Sequence, residues 1–285
     1  MSLEEIAKKM CARGRGILAA DESTGTIAKR FKSISVENTE ENRLNFRQTL
    51  FSAEAMKSYI GGVILFDETI KQKTSNGTSI PELITKNNSV PGIKVDKGAK
   101  PLAGSPNETV TEGLDGLRDR LKEYFQLGAR FTKWRAVYNI GEKYPSAQSI
   151  KANAHALARY AALVQETNMV PIVEPEVLMD GSHDIEKCYQ VTTDVLNECF
   201  NELMLHKVNL KGIVLKPNMI VPGAECSKKV NSEEIAKKTL GCLKNSVPSD
   251  VPGITCLSGG QSEIEATENL NLINKNNNTN FLMSY

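Results

Sequence analysis

The sequence predicts one eightfold β/α (TIM) barrel, a single domain over residues 1–285. Eight short apolar runs alternate with helical patterns from end to end, the rhythm of parallel βαβ units. Polar residues recur at matching places in successive runs: Lys133, Glu174, Lys216 and Ser258 follow one another at intervals of 41, 42 and 42 residues. From Asp21 to Ser258 the same unit fits six times at about 39.5 residues each. A doubly wound sheet would also alternate strand and helix. Eight strands without a G-x-G-x-x-G turn favour the closed barrel, whose usual size is ~250 residues.

The strand candidates are GILAA (16–20), GGVILF (61–66), GIKV (92–95), ARFTKW (129–134), VPIVEP (170–175), GIVLKP (212–217), GITCL (253–257) and NFLMSY (280–285). Helix signals lie between most of them. The stretch 111–128 offers a threonine cap and a closing glycine, 146–168 has a period near 3.6, and 232–248 opens with Ser-Glu-Glu and stops at proline. The segments 73–81, 86–92 and 274–280 read as polar loops. No Pro/Gly/Ser-rich linker divides the chain.

Composition narrows the function. Lys+Arg 35 against Asp+Glu 34 leaves a formal charge of +1, so no global field argues for nucleic acid or an anionic membrane. No apolar run approaches the ~20 residues of a membrane helix. The opening MSLEEIAKKM is an acid-bearing amphipathic helix, wrong for a signal peptide, and the expected location is cytoplasmic. Six cysteines without a C-x-x-C pair read as reduced, mostly buried thiols. His155, His183 and His206 lack zinc-site spacing, so no metal is expected.

Side chains alternate along a strand, so Lys133 and Arg135 share a face, as do Glu174 and Glu176. Lys94 and Lys216 lie at comparable depths in their own runs. Singly, each reads as a solvated charge at a strand end. Together with Asp21 they converge from five strands on the end where barrels carry their active sites, and such convergence is costly without pairing or function. Burial and a second cation, for which Lys133 is the candidate, would both favour a neutral Lys216 amine. Such an amine attacks a ketone and forms an iminium, an electron sink for breaking the adjacent C–C bond. Glu174 and Asp21 could carry the protons. LSGGQS (257–262), opening a helix after the seventh strand, is a candidate phosphate cradle.

The motifs GILAADESTGTIAKR, NTEEN, GGVILF, GIKVDKG, KWR, VPIVEPE, LKPNM, LSGGQS and NLNLINK resemble, in order and over almost the whole chain, the class I fructose-bisphosphate aldolases. The resemblance implies reversible cleavage of fructose 1,6-bisphosphate to dihydroxyacetone phosphate and glyceraldehyde 3-phosphate in glycolysis, with no cofactor beyond the covalent Schiff base. It makes Lys216 the Schiff-base lysine, Glu174 the acid/base, and Lys133 and Asp21 the groups that assist proton transfer and hold the C4 and C3 hydroxyls. It places Glu176, Arg135 and Lys94 as charged neighbours. Ser258, Gly259, Gly260 and Ser284 would grip one phosphate and Ser23, Thr26, Lys29 and Arg30 the other, Thr26 standing where a serine is usual. It further implies a homotetramer and allows actin as a partner.

The sequence departs from the family pattern at NFLMSY (280–285), where the pattern continues into Gly-Arg, an eighth helix and a tail ending in tyrosine. That arginine grips a phosphate in the family. The expectation is a C-terminally truncated chain with weakened phosphate affinity and reduced activity. Two alternatives stand beside it: another Schiff-base barrel of transaldolase or deoxyribose-phosphate aldolase type, and a catalytically silent aldolase fragment or paralog with a binding role.

Overall fold

A computed structural model describes residues 1–285. Eight parallel strands follow one another around one sheet in chain order: β1 (Gly16–Ala20), β2 (Ile60–Leu65), β3 (Val90–Lys94), β4 (Phe131–Tyr138), β5 (Val170–Val177), β6 (Val214–Leu215), β7 (Gly253–Thr255) and β8 (Leu282–Ser284). The Ile17 N–H donates to the Tyr285 main-chain oxygen at 2.5 Å, bringing Tyr285 against β1 and leaving the ring nearly closed.

The helices lie outside and start where the sequence caps them. Ser146 caps Ala147–Glu166 and Asn231 caps Ser232–Ser246, while Ser262 and Glu265 form a reciprocal capping box on Glu263–Asn276. The helix expected from Thr111 begins only at Leu117, because Gly113 and Gly116 take left-handed backbone and Thr111 joins a short antiparallel ribbon, Ala99–Pro101 with Thr109–Thr111. The expected loop over 86–92 likewise gives up Val90 to Gly92 to β3.

The helix Leu3–Met10 plugs the amino-terminal mouth. Ile6, Ala7 and Met10 pack with Ile17, Ile64, Val90, Phe131, Val170, Ile172 and Val214 in one buried cluster, most of them at or near the starts of their strands. A Cβ on Gly61 would come within 2.0 Å of the Met10 carbonyl oxygen, so the plug requires glycine there. The apolar layer is therefore at the bottom of the barrel. Two residues further along the same strand faces come Lys133 above Phe131 and Glu174 above Ile172.

Candidate active site

The strand register brings these charges together. Lys94 pairs with Lys133, Arg135 with Glu174 and Val137 with Glu176, and parallel neighbours project to the same side. Lys133, Glu174 and Glu176 are 6%, 2% and 5% exposed. Lys133 Nζ lies 2.7 Å from Asp21 Oδ2 and 3.4 Å from Glu174 Oε2. Lys216 Nζ donates to Glu174 Oε1. The two lysines thus flank one carboxylate, and Lys133 is linked to Lys216 through Glu174. Glu174 Oε2 has no hydrogen-bond partner.

The electrostatics follow from this geometry. Burial alone would push the Glu174 carboxyl up; the Lys133 and Lys216 charges, the hydrogen bond from Lys216 and the Arg135 charge more than reverse it and hold the group at about 2. Burial would lower Lys133, but the Glu174, Asp21 and Asp96 carboxylates raise it above the ordinary lysine value. Lys133 is accordingly an ammonium and Glu174 a carboxylate at neutral pH.

Two adjoining cavities of about 370 and 480 Å³ share Asp21, Lys133 and Arg135. The first reaches Ser23, Thr26, Arg30 and Lys94; the second reaches Glu174, Glu176, Lys216, Gly259 and Gly260. Gly259 and Gly260, at φ 60° and 91°, turn the backbone beneath the second cavity in conformations that favour glycine. Arg30 pairs with Glu22, Arg135 with Glu176, and Lys94 with Asp96 at 3.0 Å. Three expected residues stand apart. Lys29 is exposed on the Thr24–Ser33 helix, Ser258 is exposed beside the glycine turn, and the Ser284 hydroxyl is buried without a partner. Ser284 lines a different cavity of about 660 Å³ among β1, β8 and the Glu263–Asn276 helix, whose side chains offer no acid–base pair.

Three further charges belong to the site. Asp96 holds Lys94 and accepts from the Gly98 and Arg135 N–H groups; its alternation with Lys94 in GIKVD was the available signal. Glu22 receives Arg30 and, at 3.6 Å, the fully buried Arg47. Arg47 also donates to Thr69 Oγ1 and the Glu22 carbonyl, contacts between elements that no spacing reveals.

Comparison with known proteins places the chain in a family. The family model "Fructose-bisphosphate aldolase class-I" matches residues 2–285. The chain belongs to the class-I fructose-bisphosphate aldolase family. A probable class 1 aldolase of Xanthomonas axonopodis pv. citri is 54% identical over 283 residues, covering 99% of this chain and 85% of that protein. An Arabidopsis thaliana protein named fructose-bisphosphate aldolase 4, cytosolic, is 56% identical over 262 residues, covering 92% of this chain and 67% of its own. A Plasmodium falciparum aldolase, solved in complex with TRAP and a small-molecule inhibitor, superimposes with a TM-score of 0.98 at 46% identity, over 99% of this chain and 82% of that one. The aldolase is a lyase acting on a phosphorylated ketose, and the class I mechanism proceeds through a Schiff base without a metal. No helix is long and apolar enough to cross a membrane.

Proposed function

We propose that Lys216 is the nucleophile of this aldolase and Glu174 its acid/base. The observation that carries the reading is one buried carboxylate beside the cavity, whose Oε1 accepts from Lys216 Nζ while its Oε2 makes no hydrogen bond and lies 3.4 Å from Lys133 Nζ. Lys216 Nζ passes a proton to Glu174 along their hydrogen bond, and the freed amine attacks C2 of fructose 1,6-bisphosphate, giving a carbinolamine. Glu174 returns that proton to the C2 hydroxyl, which leaves as water, and the iminium forms with Glu174 again a carboxylate. Glu174 Oε2 then takes the C4 hydroxyl proton, the C3–C4 bond breaks, and its electron pair neutralises the iminium as an enamine while glyceraldehyde 3-phosphate departs. The proton held by Glu174 is then delivered to C3 of the enamine, and hydrolysis of the resulting iminium releases dihydroxyacetone phosphate and restores Lys216.

Lys133 keeps Glu174 charged, pairs with Asp21 and offers an ammonium to the substrate hydroxyls. Ser23, Thr26 and Arg30 bind one phosphate, Arg30 exchanging Glu22 for it, and the Gly259–Gly260 turn binds the other. The resemblance and the cytosolic name of the Arabidopsis relative support a cytoplasmic homotetramer.

Borohydride trapping with dihydroxyacetone phosphate tests the assignment. A covalent adduct on the Lys216 peptide, absent from a folded Lys216→Met variant, is the expected result. An adduct that persists in that variant removes Lys216 from the role.

A further inference from the structure

His155, Glu202 and His206 belong to no part of the site described above. No local spacing links His155 to the other two, yet the fold assembles them on the outer surface. Glu202 lies near the end of the helix Ile185–Leu205 and His206 caps it, so the two stand four residues apart on one face. His155 reaches them from the neighbouring helix Ala147–Glu166. Glu202 Oε2 lies 3.1 Å from His155 Nδ1 and 3.5 Å from His206 Nδ1, and the two rings meet edge-on with centroids 5.0 Å apart.

From this arrangement we infer a peripheral binding site for a borderline divalent transition-metal ion of the zinc type, held by His155, Glu202 and His206. One ligating atom from each residue lies within 4.8 Å of the others. Zinc with bonds of about 2.0–2.2 Å in a tetrahedral field separates its ligands by roughly 3.4 Å. No gap therefore has to close by more than roughly 1.4 Å. His155, half exposed at its side chain, has the freedom to make that movement. Two imidazoles and a carboxylate are the donor set that zinc, nickel and copper prefer over calcium or magnesium.

Two features prepare the site. His206 Nδ1 lies 2.9 Å from the Glu202 carbonyl oxygen; a carbonyl only accepts, so Nδ1 carries the proton and Nε2 keeps its lone pair for a metal. A backbone carbonyl fixing the tautomer in this way is the usual outer support of a metal-bound histidine. The site also stands at the carboxyl end of a 21-residue helix, where the helix dipole favours a cation. Water fills the remaining coordination position, because the cluster is at the surface. The ion would tie together the helices that follow β4 and β5.

Titrating the full chain with zinc chloride, followed by calorimetry and by the thermal unfolding midpoint, tests this. One equivalent is expected to bind and raise the midpoint. His155→Ala, Glu202→Gln and His206→Ala are each expected to weaken binding about tenfold or more, and Cys226→Ser, a control for the one partly exposed thiol, to leave it unchanged. His155 is exposed, so its alanine variant keeps the fold even if the others do not. No zinc uptake by the wild-type chain overturns the inference, as does undiminished binding by His155→Ala or loss of binding in Cys226→Ser.

Discussion

Replacing Lys133 with methionine removes an ammonium that lies 2.7 Å from Asp21 and 3.4 Å from Glu174 and keeps a chain of similar bulk. At 3.4 Å and an effective dielectric constant of 20, two unit charges attract by roughly 5 kcal/mol. That is three to four orders of magnitude in proton affinity at ~1.4 kcal/mol per decade. Glu174, held at about 2 in the intact site, should move to ~5–6 in the variant, with Lys216 still on its other oxygen.

The sign of the pH dependence then reverses. In the intact protein the native carboxyl lies below its ordinary value of 4.5, so its contribution to stability is full above that value and is lost as pH falls toward 2. In Lys133→Met the native value lies above the ordinary one; the contribution is present at low pH and is lost as pH rises through ~5–6. At neutral pH the variant carries a buried carboxylate stripped of one partner, a cost of about 3–5 kcal/mol. Roughly 1 kcal/mol of that cost should be recovered at about pH 5. Urea unfolding of both proteins at about pH 5 and about pH 7.5 measures the difference, and subtracting wild type from variant at each pH cancels the groups they share. A deficit that stays constant or grows on acidification refutes the claim that Lys133 holds the Glu174 charge.

Gly92→Ala should destabilise the barrel by about 1–3 kcal/mol, because the new Cβ would lie 2.3–2.4 Å from three ring atoms of the fully buried Phe131; a thermal midpoint within error of wild type would show that the ring can yield. Burial pushes the Cys11, Cys199 and Cys256 thiols up to about 12 and Cys188 to about 11, and raises Cys242 as well. An aromatic disulfide reagent at neutral pH should therefore label the half-exposed Cys226 promptly and the other five only on unfolding. A second fast thiol in the native protein contradicts that ordering.

The strands were legible because each buries an apolar run, and the interior charges Lys133, Glu174 and Lys216 because they interrupt those runs at a near-constant interval. Where the reading slipped, backbone chemistry explains it. GIVLKP yields only Val214–Leu215 as ladder: Leu210–Gly212 winds into a 3₁₀ turn and Pro217 has no N–H to donate. Within the expected loop 86–92, Pro91 lies in β3, aligned with Val63, and its carbonyl accepts from the Arg130 N–H. A strand position that needs only an acceptor tolerates proline. KWRAVY continues the inward–outward alternation past the expected end, so β4 runs on to Tyr138 and carries Arg135 within the ladder.

What the chain does not reveal is which groups meet across elements. Lys133, Glu174 and Lys216 repeat with the barrel unit, so their convergence follows from the period alone. Arg47 stands 25 residues from its Glu22 carbonyl partner, and His155 stands 47 from Glu202; neither distance is a multiple of the repeat, and each pair is joined by packing outside the strands. The period therefore finds groups that project inward from the strands, because closure of the ring makes those positions neighbours. Groups on helices become neighbours only through side-chain packing between layers, which sets angles and offsets that no repeat encodes. For that reason the strand-borne charges Lys94, Lys133, Arg135, Glu174, Glu176 and Lys216 could be listed from sequence, whereas Arg47 behind Glu22, and the outer His155–Glu202–His206 cluster, required the fold.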